Sequence, residues 1–291
     1  MTNKVPVTSI LVLGASGMLG NAVLRFFADS DGFTVTGTVR SRQSFNLLPK
    51  RFQNFLISDI DIENIDCLVK LFSAVRPSVV INCIGLVKQL SEANDPLSAI
   101  PINSLLPHRL ARMCALTGAR LVHMSTDCVF SGEKGMYVEA DAPDAHDLYG
   151  RSKYLGEVDY PNAITLRTSI IGHELNGVRS LVDWFLAQQE EVKGFSNAFF
   201  SGLPTVEIAR IIRDFVIPHP DMHGTYHVSA DSINKFNLLK LIADVYSKKI
   251  DIIPDESLVI DRSLDSTRFR GVTGFHPKPW GDLITAMHEF S

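Results

Sequence analysis

Tyr149 and Lys153 stand four residues apart in the segment Tyr149-Gly150-Arg151-Ser152-Lys153. On a helix, that separation puts both side chains on one face. An ordinary tyrosine has a pKa near ~10 and is a poor acid or base at neutral pH. A lysine ammonium beside it favours the phenolate and lowers that value. The pair therefore predicts a group that exchanges a proton with a carbonyl or alcohol oxygen. Y-x-x-x-K also recurs by chance, and its weight here comes from Ser125-Thr126-Asp127. A hydroxyl in that triplet can hydrogen-bond the same oxygen. Thr126 is the first choice and Ser125 the alternative, because neighbouring strand side chains turn to opposite faces. Asp127 is either a turn residue or a substrate contact.

A second constellation is Gly14-Ala15-Ser16-Gly17-Met18-Leu19-Gly20, spaced G-x-x-G-x-x-G. Glycines permit a tight turn and let backbone amides approach a pyrophosphate, and a helix N-terminus adds partial positive charge. Gly14, Ser16, Gly17, Met18, Leu19 and Gly20 are the expected contacts to a dinucleotide. An NAD site usually carries an acidic residue after the second strand to hold the ribose 2′-hydroxyl. Here the strand ends in Thr38-Val39-Arg40-Ser41-Arg42. Arg40, with Ser41 or Arg42, instead suits a 2′-phosphate. The expected cofactor is NADPH, with NADH as the alternative. Asp59 and Ile60 are placed to edge the adenine. Cys83 and Gly85, in Asn82-Cys83-Ile84-Gly85, end another strand where glycine lets a cofactor come close.

These residues need a scaffold that gathers them, and the pattern supplies one. Val7 to Leu13 reads as a buried strand. Met18 to Ala28 reads as a helix, with Leu19, Val23, Leu24 and Phe27 at helical spacing. Further strands are expected at Phe33 to Val39, Phe55 to Ser58, Ser78 to Ile84, Arg120 to Ser125 and Ala163 to Thr168. Helices are expected at Ile62 to Val75, closed by Arg76-Pro77, and at Ile102 to Thr117, ended by Gly118. The alternation predicts an α/β fold with a doubly wound parallel sheet and right-handed crossovers. Such sheets bind ligands beyond the carboxyl ends of their strands. Beyond Thr168 helices are expected around Trp184-Phe185, at Thr205 to Val216 and at Phe236 to Tyr246, with a short strand at Tyr226 to Ser229. The predicted division is a dinucleotide-binding part over residues 1–170, with a return segment at about 203–231. A smaller substrate-binding lobe takes 171–202 and 232–291.

The bulk properties narrow the class. The 291 residues are 45% hydrophobic and 21% charged, the balance of an ordinary globular core. A formal net charge of −4 gives no basic field for nucleic acid or an anionic membrane. Cys67, Cys83, Cys114 and Cys128 form no C-x-x-C pair, and the nine histidines form no metal motif. No metal site is expected. The first residues lack a signal-peptide apolar region and no run reaches the length of a membrane span. The expected location is the cytoplasm.

With these residues assembled, the chain resembles the extended short-chain dehydrogenase/reductases, and among them the dTDP-4-dehydrorhamnose reductase group. The resemblance rests on Gly14 to Gly20, Ser125-Thr126-Asp127-Cys128-Val129-Phe130-Ser131-Gly132 and Tyr149 to Glu157. It continues in Gly202-Leu203-Pro204-Thr205, Gly224-Thr225-Tyr226-His227 and Arg262-Ser263-Leu264-Asp265-Ser266. It implies reduction of the 4-keto group of a nucleotide-activated 6-deoxy sugar for cell-surface polysaccharide synthesis. Tyr149 would donate the proton, Lys153 tune it and hold the nicotinamide ribose, and Thr126 orient the carbonyl. Lys88, Arg179 and Thr205 are candidate substrate contacts, beside Thr126 and Asp127. A homodimer is expected from the resemblance alone. The segment Ile84 to Gln89 and Cys128, where the group has tyrosine, depart from its pattern, so a UDP-linked or N-acetylated sugar is an equal candidate. Two alternatives share the fold: an epimerase or dehydratase, and a non-catalytic NADP-binding regulatory subunit of the kind that partners methionine adenosyltransferase.

Overall fold

The computed structural model of the chain describes residues 7–87 and 91–291. Seven parallel strands form the central sheet: β1 (Thr8–Leu13), β2 (Phe33–Thr38), β3 (Leu56–Ile57), β4 (Val79–Asn82), β5 (Arg120–Thr126), β6 (Ala163–Thr168) and β7 (Gly224–His227). Their spatial order is β7-β6-β5-β4-β1-β2-β3. The order reverses beside β1, at the point where doubly wound sheets open a crevice for ligands.

The alternation of side chains along a strand divides the core in two. Ile10 and Val12 pack with Val23, Leu24 and Phe27 of α1 (Met18–Ala28). Leu11 and Leu13 pack on the other face, with Leu68, Leu71 and Phe72 of α2 (Ile65–Val75) and Leu110 of α3 (Leu106–Thr117). All four β1 residues are fully buried, as expected where helices cover both faces. The catalytic-type segment forms α4 (Leu148–Leu155). After β6 the chain builds α5 (Thr205–Ile211), which packs on the same core as α1. It then returns to the sheet as β7.

A further hydrophobic cluster gathers Phe185, Leu238, Leu239, Ile242, Ile284 and Met287. The segment Leu181–Ala187, α6 (Lys235–Val245) and α7 (Trp280–Phe290) supply it. Trp280 packs against both this cluster and that of the sheet, so the two join through apolar contact. Among the described residues, no helix is long and apolar enough to cross a membrane.

Several boundaries differ from the sequence reading for local reasons. Asn64 accepts hydrogen bonds from the amides of Asp66 (2.9 Å) and Cys67 (3.2 Å), so α2 begins at Ile65 and not Ile62. The long helix expected from Ile102 is broken. Pro96–Ala99 forms one turn, Ile100–Leu105 winds more widely, and α3 follows. Pro101 and Pro107 lack amide protons, which favours such irregular turns. The helix expected to reach Val216 widens after Ile211, and the Ile217 amide bonds the Ile212 carbonyl at 2.9 Å. The strand expected at Tyr226 to Ser229 lies two residues earlier, in register with Ile164 to Arg167 of β6.

Candidate active site

A cleft of ≈ 500 Å³ opens at the carboxyl ends of the strands. One wall is the glycine turn. Gly14 has φ 84, a left-handed conformation that favours glycine. Its turn is pinned to β2 by the Ala15 amide, which donates to the Thr38 carbonyl at 2.9 Å. A Cβ on Gly20 would lie 2.1 Å from the Gly14 carbonyl oxygen, so α1 can pass this close only with glycine there. Gly17 caps α1 with no side-chain acceptor over the first amides. Gly17, Met18 and Leu19 line the cleft, whereas Gly14, Ser16 and Gly20 do not line it; Gly14 and Gly20 shape the turn.

Arg40, Asp59 and Ile60 lie outside that lining, at the ends of β2 and β3 on the other side of β1. Arg40 is exposed, and no hydrogen bond or ion pair among the described residues holds its guanidinium. Its neighbours are committed elsewhere. The Ser41 hydroxyl caps the helix Arg42–Leu47 by accepting from the Ser44 amide at 3.2 Å, and Arg42 stacks on the Phe45 ring at 4.2 Å. Asp59 has φ 62, an uncommon conformation for a non-glycine residue. The Ile60 amide donates to the Val39 carbonyl at 3.2 Å and ties the ends of β2 and β3 together.

Tyr149 and Lys153 enter the cleft from α4. Asp147 caps this short helix by accepting from the Gly150 amide at 2.7 Å. The Lys153 ammonium donates to the Met124 carbonyl on β5 at 2.8 Å. Burial lowers its pKa to about 8, against the opposing pull of Glu157 and Cys83. The expectation that Lys153 depresses the Tyr149 phenol is corrected here. Burial raises the Tyr149 pKa above its ordinary value, with Cys128 adding to the rise and Thr126 opposing it. The lysine ammonium is turned to a carbonyl, and a phenol taken out of water keeps its proton. Tyr149 is therefore protonated at neutral pH.

Thr126 ends β5 inside the cleft. Its hydroxyl accepts from the Cys128 amide at 3.1 Å and donates to Asp127 Oδ1 at 3.2 Å. Ser125 also borders the cleft, but its hydroxyl donates to Glu157 Oε1 at 2.8 Å. Asp127 opens the single turn Asp127–Val129 and also lines the cleft. Burial raises its carboxyl pKa against the pull of Arg262 and Lys235. Cys83 and Cys128 line the cleft too, and burial pushes both thiols up to about 12, so neither is a thiolate. At Gly85, an added Cβ would sit 3.4 Å from Asn103 Oδ1 and 3.6 Å from Lys153 Nζ.

Arg179 lies at the mouth with Glu174 and Ser180, on the segment that follows β6. Thr205 is not brought to the cleft. It is buried at the start of α5 and lines a separate cavity of ≈ 20 Å³ with Asn21, Arg25 and His173. Pro204 pairs with Ile171, and a Cβ on Gly172 would lie 2.6 Å from Thr205 Oγ1, so this threonine packs where glycine leaves space. Lys88 lies outside the described residues. Among the described residues, no group of three or more His, Cys, Asp or Glu could hold a metal ion.

Asn103 escaped the sequence reading. It sits in the wide turn before α3 and is 1% exposed. Its Oδ1 accepts from the Leu86 amide at 2.9 Å. Its Nδ2 donates to the Leu86 carbonyl at 3.3 Å and to Ser152 Oγ at 3.1 Å. One amide thus fixes the segment carrying Gly85 to the helix carrying Tyr149 and Lys153. The available signal was Pro101 and Pro107 inside an otherwise helical run. Thr168, Ser169, Glu174 and Ser180, also in the lining, carried no motif.

A family model described as "RmlD substrate binding domain" matches residues 8–287. A "Probable low-salt glycan biosynthesis reductase Agl14" of Haloferax volcanii is 28% identical, over 76% of this chain and 74% of its own length. "Methionine adenosyltransferase 2 subunit beta" of Mus musculus is 27% identical, over 84% of this chain and 74% of its own. The crystal structure of dTDP-4-dehydrorhamnose reductase from Bacillus anthracis, in complex with NADP, superposes with a TM-score of 0.78 at 22% identity. That match covers 98% of each chain.

Proposed function

The chain belongs to the RmlD substrate binding domain family, and from that premise we propose that it is an NADPH-dependent reductase of the 4-keto group of a nucleotide-activated 6-deoxy sugar. The observation that carries this reading is the convergence of Thr126, Tyr149 and Lys153 on one cleft whose facing wall is the glycine turn of α1.

The residues suit a dinucleotide. The turn is tight because Gly14 and Gly20 leave no Cβ where Ile84 and the Gly14 carbonyl pass, and the uncovered start of α1 favours an anion. Arg40 stands free for a 2′-phosphate, and Asp59 and Ile60 lie beside it at the end of β3 for the adenine. Gly85 gives close approach beneath Lys153. When bound, the nicotinamide supplies a hydride. On the protein side, the Thr126 hydroxyl orients the ketone oxygen. Tyr149, a neutral phenol whose pKa burial raises further, gives that oxygen its proton as it becomes an alcohol. Lys153 places positive charge beside the developing oxyanion and the nicotinamide ribose. Asp127 and Arg179, from two sides of the cleft, are the proposed sugar and nucleotide contacts.

The test is transfer of label. Incubation with NADPH deuterated at the nicotinamide C4 and a 4-keto-6-deoxy nucleotide sugar should place one deuterium on the product sugar, read by mass spectrometry. A sugar recovered unlabelled and unreduced from every dTDP and UDP substrate refutes the reading. The similarity to a methionine adenosyltransferase subunit supports a second reading, a regulatory subunit that binds the dinucleotide without turning over. Tight NADPH binding with no label transfer would favour it.

A further inference from the structure

At the mouth of the cleft, one carboxylate holds both ends of a loop. Glu174, Arg179 and Ser180 line the cleft. Asp183 stands just beyond them, in the first turn of the helix Leu181–Ala187. An acid at this position commonly reaches back to the backbone amide of the capping residue. Asp183 turns to the loop instead. Its Oδ2 accepts from the Glu174 amide at 2.7 Å and from the Ser180 hydroxyl at 3.0 Å, so the two ends meet at one oxygen. The Ser180 hydroxyl in turn accepts from the Asp183 amide at 3.1 Å. Inside the ring so closed, Glu174 Oε2 accepts from the Arg179 amide at 2.9 Å, and Gly177, with φ 105, makes the tip. The Arg179 backbone is thus fixed. Among the described residues, none holds its guanidinium by a hydrogen bond or an ion pair.

The other oxygen fastens the loop to distant parts of the chain. Asp183 Oδ1 lies 2.6 Å from His173 Nδ1, and His173 Nε2 lies 2.7 Å from the Tyr246 hydroxyl. A carboxylate only accepts, so the His173 ring carries a proton on Nδ1. Tyr246 ends α6, and its ring packs on that of His288 of α7 at 4.3 Å. The His173 and Asp183 side chains are 25% and 16% exposed, so water competes little for this charge-assisted bond. A helix cap alone would need neither His173 nor Glu174, which lie ten and nine residues upstream. The carboxylate is spent on the loop.

We infer that Asp183 is a positioning residue: it clamps the loop 174–180 and so presents the Arg179 guanidinium to the diphosphate of a nucleotide ligand. The ligand class rests on the reductase reading and the clamp does not, so two readouts are used. Hydrogen exchange over residues 173–180, followed by mass spectrometry, reads the clamp with no ligand. Asp183→Ala should speed exchange there about tenfold. Asp183→Asn should keep the wild-type rate. Its amide oxygen still accepts from Glu174 and Ser180, and its NH2 donates to His173 in the other tautomer, whose Nε2–H turns to Tyr246. Exchange unchanged in Asp183→Ala, or as fast in Asp183→Asn as in Asp183→Ala, overturns the clamp. Calorimetric titration with dTDP and with UDP, in the presence of NADPH, reads the presentation of Arg179. Arg179→Ala should weaken the better-bound nucleotide about tenfold. Asp183→Ala should weaken it as much, and the double variant no further, because both changes remove one contact. Losses that add in the double variant, or wild-type affinity in Asp183→Ala, overturn the presentation. Wild type that binds neither nucleotide refutes the ligand class together with the reductase reading, and exchange then decides the clamp alone. Thermal unfolding identifies the folded variants. Asp183→Ser, which keeps a hydroxyl in the turn, replaces Asp183→Ala if the latter does not fold.

Discussion

Lys153 Nζ donates to the Met124 carbonyl at 2.8 Å, so the lysine is fastened to the strand that ends in Thr126 while Tyr149 keeps its own proton. In the proposed reduction, the neutral phenol would give the proton and the cation nearby would stabilise the charge that forms.

This arrangement predicts the pH dependence. Lys153 is charged below its folded pKa of about 8 and loses its charge above it. Turnover with a fixed sugar should hold through neutrality and fall as pH rises through that value. Lys153→Met should lower kcat by about a hundredfold and remove the alkaline limb. Steady-state rates from pH 6 to pH 10 in both proteins check this. A limb that persists in Lys153→Met assigns it to another group.

The Asn103 amide makes three hydrogen bonds in a buried turn. Asn103→Leu leaves the Leu86 backbone groups without partners and should cost about 1–3 kcal/mol of stability. It should also slow turnover more than it weakens cofactor binding, because it loosens the segment at Gly85 against α4. Urea unfolding, kcat and NADPH affinity measured together separate the two effects.

Arg40 is the proposed reader of the cofactor's 2′-phosphate. Arg40→Ala should weaken NADPH binding about tenfold, roughly 1.4 kcal/mol, and leave NADH affinity unchanged. Fluorescence titration with each cofactor reads the difference. Equal loss for both would remove Arg40 from the 2′-phosphate site.

His227 makes the fold sensitive to acid. Burial first, then the charge of Arg167, lowers its pKa from 6.5 to about 4. The unfolded chain binds this proton below about pH 6.5 and the folded one does not. The contribution is therefore fully present above that pH and lost as pH falls through about 4. Its size is about 3 kcal/mol. The pH dependence of denaturant unfolding between pH 7 and pH 4 should be shallower in His227→Gln by about one bound proton.

The sequence carried the sheet well, because β1 alternates Ile10 and Val12 with Leu11 and Leu13 and helical spacing marks Met18 to Ala28. It also carried Tyr149, Lys153 and Thr126, since their spacing and strand-end positions are local properties. What it could not carry depends on pairings between distant segments. The phenol of Tyr149 is pushed above its ordinary pKa by burial, which no i to i+4 spacing encodes. Glu157 meets Arg167 and Ser125 only because β5 and β6 are neighbours in register. Asn103 reaches Leu86 only because a wide turn replaces a regular helix. Thr205 sits in a family-like segment, yet its side chain fills the space left by Gly172 and faces another cavity.

Tyr149 is the proposed proton donor to a ketone in this cleft. The most direct measurement follows absorbance at the nicotinamide band while the protein, NADPH and each 4-keto-6-deoxy nucleotide sugar are mixed, with Tyr149→Phe in parallel. NADPH oxidation is expected with at least one sugar, lowered by about a hundredfold or more in Tyr149→Phe, with cofactor affinity unchanged. Oxidation that proceeds equally well in Tyr149→Phe, or none with any sugar despite tight NADPH binding, would contradict it.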